Sequence, residues 1–188
     1  MYVRVFKPAI DVVLALTASM VLSPLMLAAA LAILIEDGRP VFFIHERVGR
    51  EGRVFKIFKF RSMGKNTAVV PSTDVAQHQV TKVGALIRRL NIDELPQLFN
   101  IIQQQMSIVG PRPGLPSQTD LHEARRSNGA LALRPGITGQ AQINSYDGMS
   151  TEAKAVFDGE YARCISFWTD MKIILLTVRY LLKPPPVY

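Results

Sequence analysis

The sequence predicts an α+β fold: a re-entrant membrane helix hairpin at the N-terminus, a small antiparallel strand pair, and several helices, some of them amphipathic and lying at a membrane surface. Three observations carry that expectation. Residues 12–35 read VVLALTASMVLSPLMLAAALAILI without a charge, about the length of a membrane-spanning helix. Residues 41–44 and Val54–Phe60 are β-branched and aromatic runs on either side of a loop bounded by Gly49 and Gly52, the pattern of a hairpin. Later stretches repeat apolar residues at helical spacing.

The N-terminal run holds Ser23-Pro24 at its midpoint. A mid-helix proline removes one hydrogen bond, clashes with the carbonyl four residues back and disfavours helical geometry at the residue before it. Each half is then roughly a dozen residues, about 18 Å, against a hydrocarbon core of about 30 Å. Arg4 and Lys7 precede the run and Arg39, Arg47, Arg50 and Arg53 follow it, which favours the cytoplasmic side for both ends. A hairpin broken at Ser23 and Pro24 satisfies both facts. A kinked single span and a cleaved signal peptide are the other readings; Asp11, and an apolar run that continues to Ile35, fit the second poorly.

The 188 residues suffice for one domain of ordinary size. A membrane hairpin is expected over 1–36 and a cytoplasmic part over 37–188. Lys and Arg number 22 against 15 Asp and Glu, a net charge of +7, which calls for an anionic partner: nucleic acid, a phospholipid surface or a phosphorylated small molecule. A mean hydropathy of +0.17 favours the membrane over nucleic acid. Cys164 is the only cysteine, so no intrachain disulfide forms, consistent with a reducing compartment.

In the second strand Lys56, Phe58 and Phe60 share one face and Phe55, Ile57, Lys59 and Arg61 the other. Basic residues among aromatics hold phosphates or a membrane surface, or simply reach water. Residues 64–79 form a polar, irregular loop, and 83–90 a helix ending in Arg88 and Arg89. His45, His78 and His122 lack the paired spacing of a metal motif. A helix follows with Leu98, Ile101, Ile102 and Met106 on one face, stopped by Gly110-Pro111-Arg112-Pro113-Gly114. Arg134-Pro135-Gly136-Ile137-Thr138-Gly139-Gln140 is a second stiff loop, able to turn backbone N–H groups towards an anion. Helices are expected over 151–161 and 166–182, the latter with an apolar stripe of Trp168, Met171, Leu175, Val178 and Leu182 beside Lys172, Arg179 and Lys183. The stripe suits a bilayer interface, and core packing explains it nearly as well. Pro184-Pro185-Pro186 closes the chain.

The stretch that the rest serves is Arg88-Arg89-Leu90-Asn91-Ile92-Asp93-Glu94-Leu95-Pro96. Proline suits the first position of a helix, so Asp93 and Glu94 fall just ahead of one. Unpaired N–H groups there and the two arginines attract anions. One carboxylate can act as a nucleophile and the other can hold a divalent cation. Asp and Glu before a helix also serve as plain caps.

The chain resembles, from end to end, the small monotopic bacterial phosphoglycosyl transferases. The matching stretches are Ser23-Pro24, the run from Phe55 to Met63 (FKIFKFRSM), that from Asp93 to Asn100 (DELPQLFN), that from Met106 to Pro113 (MSIVGPRP), and Arg134-Pro135-Gly136-Ile137-Thr138-Gly139. The resemblance implies transfer of sugar-1-phosphate from a UDP-sugar, N-acetylated in the expectation, to polyprenol (undecaprenyl) phosphate at the cytoplasmic face of the bacterial inner membrane. It implies Asp93 as nucleophile of a covalent phosphosugar intermediate, release of UMP, and Glu94 as ligand of Mg²⁺. Lys59, Arg88 and Arg112 are expected on phosphate; Arg134, Thr138, Gln142 and Asp158 on nucleotide or substrate; membrane lipids, and no nucleic acid, as the other partners. Asp158 and Tyr161 match the family pattern. His45 stands where glutamine is common, Asn91 where a hydroxyl residue is common, and Gln104-Gln105 in place of Gly-Asp. A single-step transferase with Asp93 as general base, and a non-catalytic basic scaffold on the membrane, are the alternatives.

Overall fold

The computed structural model describes residues 1–64, 80–144 and 149–181. The irregular loop expected from Gly64 onward, with His78, lies outside the described residues beyond Gly64, as do Leu182, Lys183 and the three prolines of the tail.

The apolar N-terminus forms one helix, α1 (Lys7–Asp37), after a π-helical turn at Tyr2–Phe6. The break expected at Ser23-Pro24 does not interrupt it, because helical geometry continues through Pro24. The two short legs expected on either side of Ser23-Pro24 are joined in one helical element. The physical reason is local. Pro24 has no N–H for the Met20 carbonyl, and the Ser23 hydroxyl donates to that carbonyl at 2.8 Å in its stead. Lys7, Asp11, Ala15, Met26, Ala29 and Ile33 are buried and lie on one stripe, since the gap from Ala15 to Met26 is close to three helical turns. The other sides are open, with Met20 81% and Val21 69% exposed. By length and composition this is a helix able to cross a membrane.

Both ends of α1 are fastened to the same body. At the N-terminal end Lys7 Nζ and Tyr2 OH each donate to Asp170 Oδ2 at 2.6 Å, and Tyr161 OH donates to Oδ1 at 2.6 Å. Asp11 accepts from the Ser107 hydroxyl at 2.6 Å and from the Ile108 N–H at 3.3 Å. At the other end Arg61 pairs with the Asp37 carboxylate at 2.7 Å and donates to the carbonyls of Asp37 and Gly38 at 3.1 and 2.8 Å, groups a helix C-terminus leaves without partners. Glu36 accepts from the Lys82 and Val83 N–H groups, each at 2.9 Å, and so caps α2 (Lys82–Arg89).

Strands β1 (Phe42–Val48) and β2 (Val54–Phe60) pair antiparallel, Phe42 opposite Phe60 and Val48 opposite Val54. Both faces of β2 are used. Phe60 packs with Met26, Ala29, Ile33, Ile87 and Ile92; Ile57 packs with Ala15, Leu98, Ile101 and Met106. Phe60 and Ile57 are each 2% exposed and stabilise the fold by about 2–3 kcal/mol apiece. Each face of β2 is buried in part, at Phe60 and at Ile57, while Val54 and Lys56 stay exposed, which is why β2 lacks clean alternation. Asn100, fully buried, covers the outer edge of β2: it accepts from the Phe58 N–H at 3.1 Å and donates to the Lys56 carbonyl at 2.7 Å. This locks α3 (Gln97–Ile102) against the strand.

The helix expected to run on to Met106 ends at Ile102. Beyond it β3 (Ser107–Val109) pairs in parallel with β4 (Gly136–Thr138), a pair absent from the expected fold. The chains approach so closely that a Cβ on Gly110 would strike Arg134 and Gly136 backbone. Between them lies α4 (Thr119–Ser127), and α5 (Gln140–Asn144), α6 (Thr151–Cys164) and α7 (Phe167–Leu181) follow. The stripe of α7 faces outward: Trp168, Leu175 and Val178 are 78%, 65% and 54% exposed, while Asp170 and Ile173 are buried. Core packing within the described residues therefore does not account for these three side chains. The structure is thus mixed helix and small sheets, with a long apolar N-terminal helix.

Candidate active site

Asn91 turns the chain at φ 54, a left-handed conformation that asparagine tolerates better than most residues. A 3-10 turn at Ile92–Glu94 follows, and Pro96 stands one position ahead of the first residue of α3. The dyad therefore lies just before the helix, as the proline implied. Its backbone is not an open anion cradle, however. The Glu94 N–H bonds to the Asn91 carbonyl at 3.3 Å and the Leu95 N–H to the Ile92 carbonyl at 3.1 Å. Side chains supply the charge instead.

Lys59 Nζ and Arg112 Nη2 converge on Glu94 Oε1 at 2.7 and 2.8 Å. Lys59 comes from β2, held beside α3 by Asn100; Arg112 comes from the loop after β3, between two prolines that stiffen it. Burial opposes ionisation of Glu94, but Arg112 and Lys59 outweigh it by charge and by hydrogen bonding, and hold the carboxyl well below its usual range. Asp93 behaves oppositely. Burial and the adjacent Glu94 charge push it up to about 6, against the pull of Lys59, Arg88 and Arg112. Two neighbouring carboxylates with separated ionisation are assigned separate tasks by their surroundings.

Arg88 is aimed by Ser62, whose hydroxyl accepts from Nε at 2.7 Å. The contact depends on Gly84, where a Cβ would collide with the Ser62 carbonyl oxygen. Gly84→Ala is expected to push α2 off Ser62 and misplace Arg88; a protein that folds yet loses about tenfold in kcat/KM is the predicted outcome, and unchanged kinetics would contradict it.

Arg47, from β1, completes the cluster. Burial and the neighbouring Arg112 pull its pKa down to about 10, while Glu94 opposes them. Lys59, Arg88, Arg112 and Arg47 thus surround Asp93 and Glu94, four cations against two carboxylates. Such an excess favours a multiply charged anion. Nothing in the spacing of β1 distinguishes Arg47 from the arginines of the following loop. A signal for Asn100, which was also missed, was present in the sequence: an amide beside Leu98, Ile101 and Ile102 in a short helix has to be buried with partners.

The remaining expected substrate residues fall elsewhere. The Asp158 carboxylate is 1% exposed and accepts from Arg125 Nε at 2.8 Å and Nη2 at 2.6 Å, joining α6 to α4. The Thr138 hydroxyl lies 2.6 Å from that of Thr177 and joins β4 to α7. In the structure both side chains are spent on contacts between elements. Gln142 has both amide atoms buried without a partner among the described residues, and Arg134 lines a separate groove with Gln104. Tyr161 serves the lock on α1 through Asp170.

No cluster of three His, Cys, Asp or Glu side chains able to hold a metal occurs among the described residues. Magnesium is commonly bound through one or two carboxylates, with waters and substrate phosphates completing the shell. Glu94 fits that mode of binding and not an all-protein cage.

Two adjacent carboxylates within a cluster of cations, beside a helix long and apolar enough to cross a membrane, suit a phosphate-bearing ligand. The model of the family described as "Bacterial sugar transferase" matches residues 2–184, and the chain belongs to that family. It is 41% identical over 186 residues to an undecaprenyl-phosphate glucose phosphotransferase of Komagataeibacter xylinus, with 92% of this chain and 35% of that protein covered. It is 39% identical over 195 residues to a UDP-glucose:undecaprenyl-phosphate glucose-1-phosphate transferase of Caulobacter vibrioides, with 97% of this chain and 72% of that protein covered. It is 39% identical over 184 residues to a UDP-N-acetylgalactosamine-undecaprenyl-phosphate N-acetylgalactosaminephosphotransferase of Aeromonas hydrophila, with 94% of this chain and 43% of that protein covered. Against the first three curated relatives the chain spans only 35%, 40% and 38% of their length.

Proposed function

We propose that the protein transfers sugar-1-phosphate from a UDP-sugar to undecaprenyl phosphate, through a phosphosugar bonded to Asp93. The observation that carries this reading is the division of labour in the dyad: Glu94 is locked by Lys59 and Arg112, whereas burial and the Glu94 charge push the pKa of Asp93 up to about 6. At neutral pH Asp93 is ionised, close to phosphate-binding cations, and able to attack.

In the first step an Asp93 carboxylate oxygen forms a bond to the sugar-bearing phosphorus, and the bond from that phosphorus to the oxygen of UMP breaks. In the second, an oxygen of the carrier phosphate bonds to the same phosphorus and the bond to Asp93 breaks, restoring the carboxylate. Arg88, Arg112 and Lys59 offset the charge on the transferring phosphoryl group. Glu94 would hold Mg²⁺, which when bound supplies further charge neutralisation at phosphate. Asp93 must lose its proton to attack, so the rate is expected to rise with pH through about 6 and level off above it. A pH–rate profile flat between pH 5 and 7 would contradict this assignment.

The membrane topology is part of the proposal. α1 dips into the bilayer from the cytoplasmic face and does not cross it. Support comes from its two ends, both tied to one body through Lys7 and Asp11 at one end and Glu36 and Asp37 at the other. The exposed Trp168, Leu175 and Val178 of α7 lie in the same interface. For the sugar, the reported relatives' names give glucose twice and N-acetylgalactosamine once. The experiment is UMP release by purified protein from a panel of UDP-sugars, with magnesium, with and without undecaprenyl phosphate. Asp93-dependent release supports the transferase and names the donor; no release from any donor by folded protein sinks it.

A further inference from the structure

Arg112 is carried by Pro111-Arg112-Pro113, and a proline has no N–H to donate. Such a segment is fastened mainly through its carbonyls, by donors that other elements supply. On one side the Gly136 N–H of β4 donates to the Pro111 carbonyl at 2.9 Å. On the other side the donors come from the end of β1. The Val48 N–H donates to the Gly114 carbonyl at 2.9 Å, and Arg47 Nη1 donates to the Pro113 carbonyl at 3.4 Å. Arg112 therefore stands where a strap crosses from β4 to β1, and from there its Nη2 reaches Glu94 Oε1 at 2.8 Å. The bond from Arg47 falls on the residue next to it.

For stability alone, arginine is a poor choice at this position. Arg47 is half-buried, and its Nε is buried without a partner among the described residues. Its Nη1 bonds to a neutral carbonyl, which offsets the burial of a charge less than a carboxylate does. An apolar side chain of the same length would cost the fold less. Residues that lower stability in this way are found where they serve a site, and the segment Arg47 holds is the one that presents Arg112.

We propose that Arg47 is a positioning residue: by holding the Pro113 carbonyl it keeps the Arg112 guanidinium directed at the phosphate that Asp93 attacks. It acts through Arg112 and makes no bond to the substrate itself. The identity of that phosphate rests on the transferase reading; the link from Arg47 to Arg112 does not.

The test is a double-mutant cycle, read as equilibrium binding of labelled UDP to the full chain in detergent with magnesium, with thermal denaturation beside it. Arg112→Gln is expected to weaken UDP binding by about tenfold or more, the loss of a charged hydrogen bond. Arg47→Met keeps the length of the side chain and removes its donors and charge. It is expected to weaken binding severalfold in the parent, and by less than about twofold where Arg112→Gln is already present, whereas independent sites would add. Arg47→Lys, which retains a charge and a donor, is expected to recover most of the affinity. The melting temperature of Arg47→Met is expected at or above that of the parent, because a buried charge is gone. Equal losses in the two backgrounds would mean that Arg47 binds the phosphate itself, and would overturn the proposal, as would unchanged affinity in Arg47→Met. A lower melting temperature with no recovery in Arg47→Lys would make Arg47 a brace of the fold and overturn it too. UDP affinity that depends on Arg47 through Arg112, in a protein that releases UMP from no UDP-sugar, would overturn the transferase reading and leave this one standing.

Discussion

Asp93→Asn is expected to abolish exchange of UMP into the UDP-sugar donor, by a factor of about 10⁴ or more, the scale of removing a nucleophile. Membrane association is expected to persist, because α1 is fastened by Lys7, Asp11, Glu36 and Asp37 and not by the dyad. The same substitution is expected to stabilise the fold. Asp93 is raised from 3.8 to about 6 by burial and by Glu94, so the folded protein binds this proton more tightly than the unfolded chain does. The benefit of protonation is complete below the unfolded value and fades as pH rises towards 6; at neutral pH the ionised side chain costs up to ~3 kcal/mol. Asparagine carries no such charge, and a melting temperature several degrees above that of the parent at pH 7, converging with it near pH 4, is the expected result. An inactive variant that is also less stable at pH 7 would mean that Asp93 holds the fold together and that its role in the site is misassigned.

The largest effect on stability is expected at Asp158. With Arg125 it forms an ion pair whose members are 4% and 1% exposed, Arg125 first, and removing one partner leaves the other charge buried and alone, at a cost of about 3–5 kcal/mol. Asp158→Ala is therefore expected to lower the melting temperature by about 10 °C, and the double change Arg125→Met with Asp158→Leu to recover much of it. A substrate contact would behave differently: KM would rise in the single variant with the melting temperature unmoved. Thermal denaturation beside steady-state kinetics distinguishes the two.

How far the sequence led can be judged element by element. The β1–β2 hairpin was legible because aromatic and β-branched runs flank a glycine-bounded loop, and the dyad's place because a proline fixes the residues before it. Asp11 was visible only as an interruption of an apolar run. Its partners, Ser107 and Ile108, lie 96 and 97 residues away, and no local pattern points across that distance. The parallel β3–β4 pair was missed for a related reason: three-residue strands leave too short an alternation to stand out. Pro24 pointed to a broken helix by its own chemistry, and the Ser23 hydroxyl kept the helix continuous by satisfying Met20. Asp158 and Thr138 were placed with substrate through resemblance of motif alone, which cannot separate a residue that touches ligand from one that holds two elements together.

The central claim is a sugar phosphate bonded to Asp93, and intact-protein mass measurement tests it most directly. The protein is incubated with its UDP-sugar and magnesium in the absence of undecaprenyl phosphate, quenched and weighed. The account predicts a mass increase equal to one sugar phosphate, absent in Asp93→Asn and lost when undecaprenyl phosphate is added. Full turnover with acceptor present, but no adduct at any time without it, would contradict the account and favour a single-step transfer with Asp93 as general base.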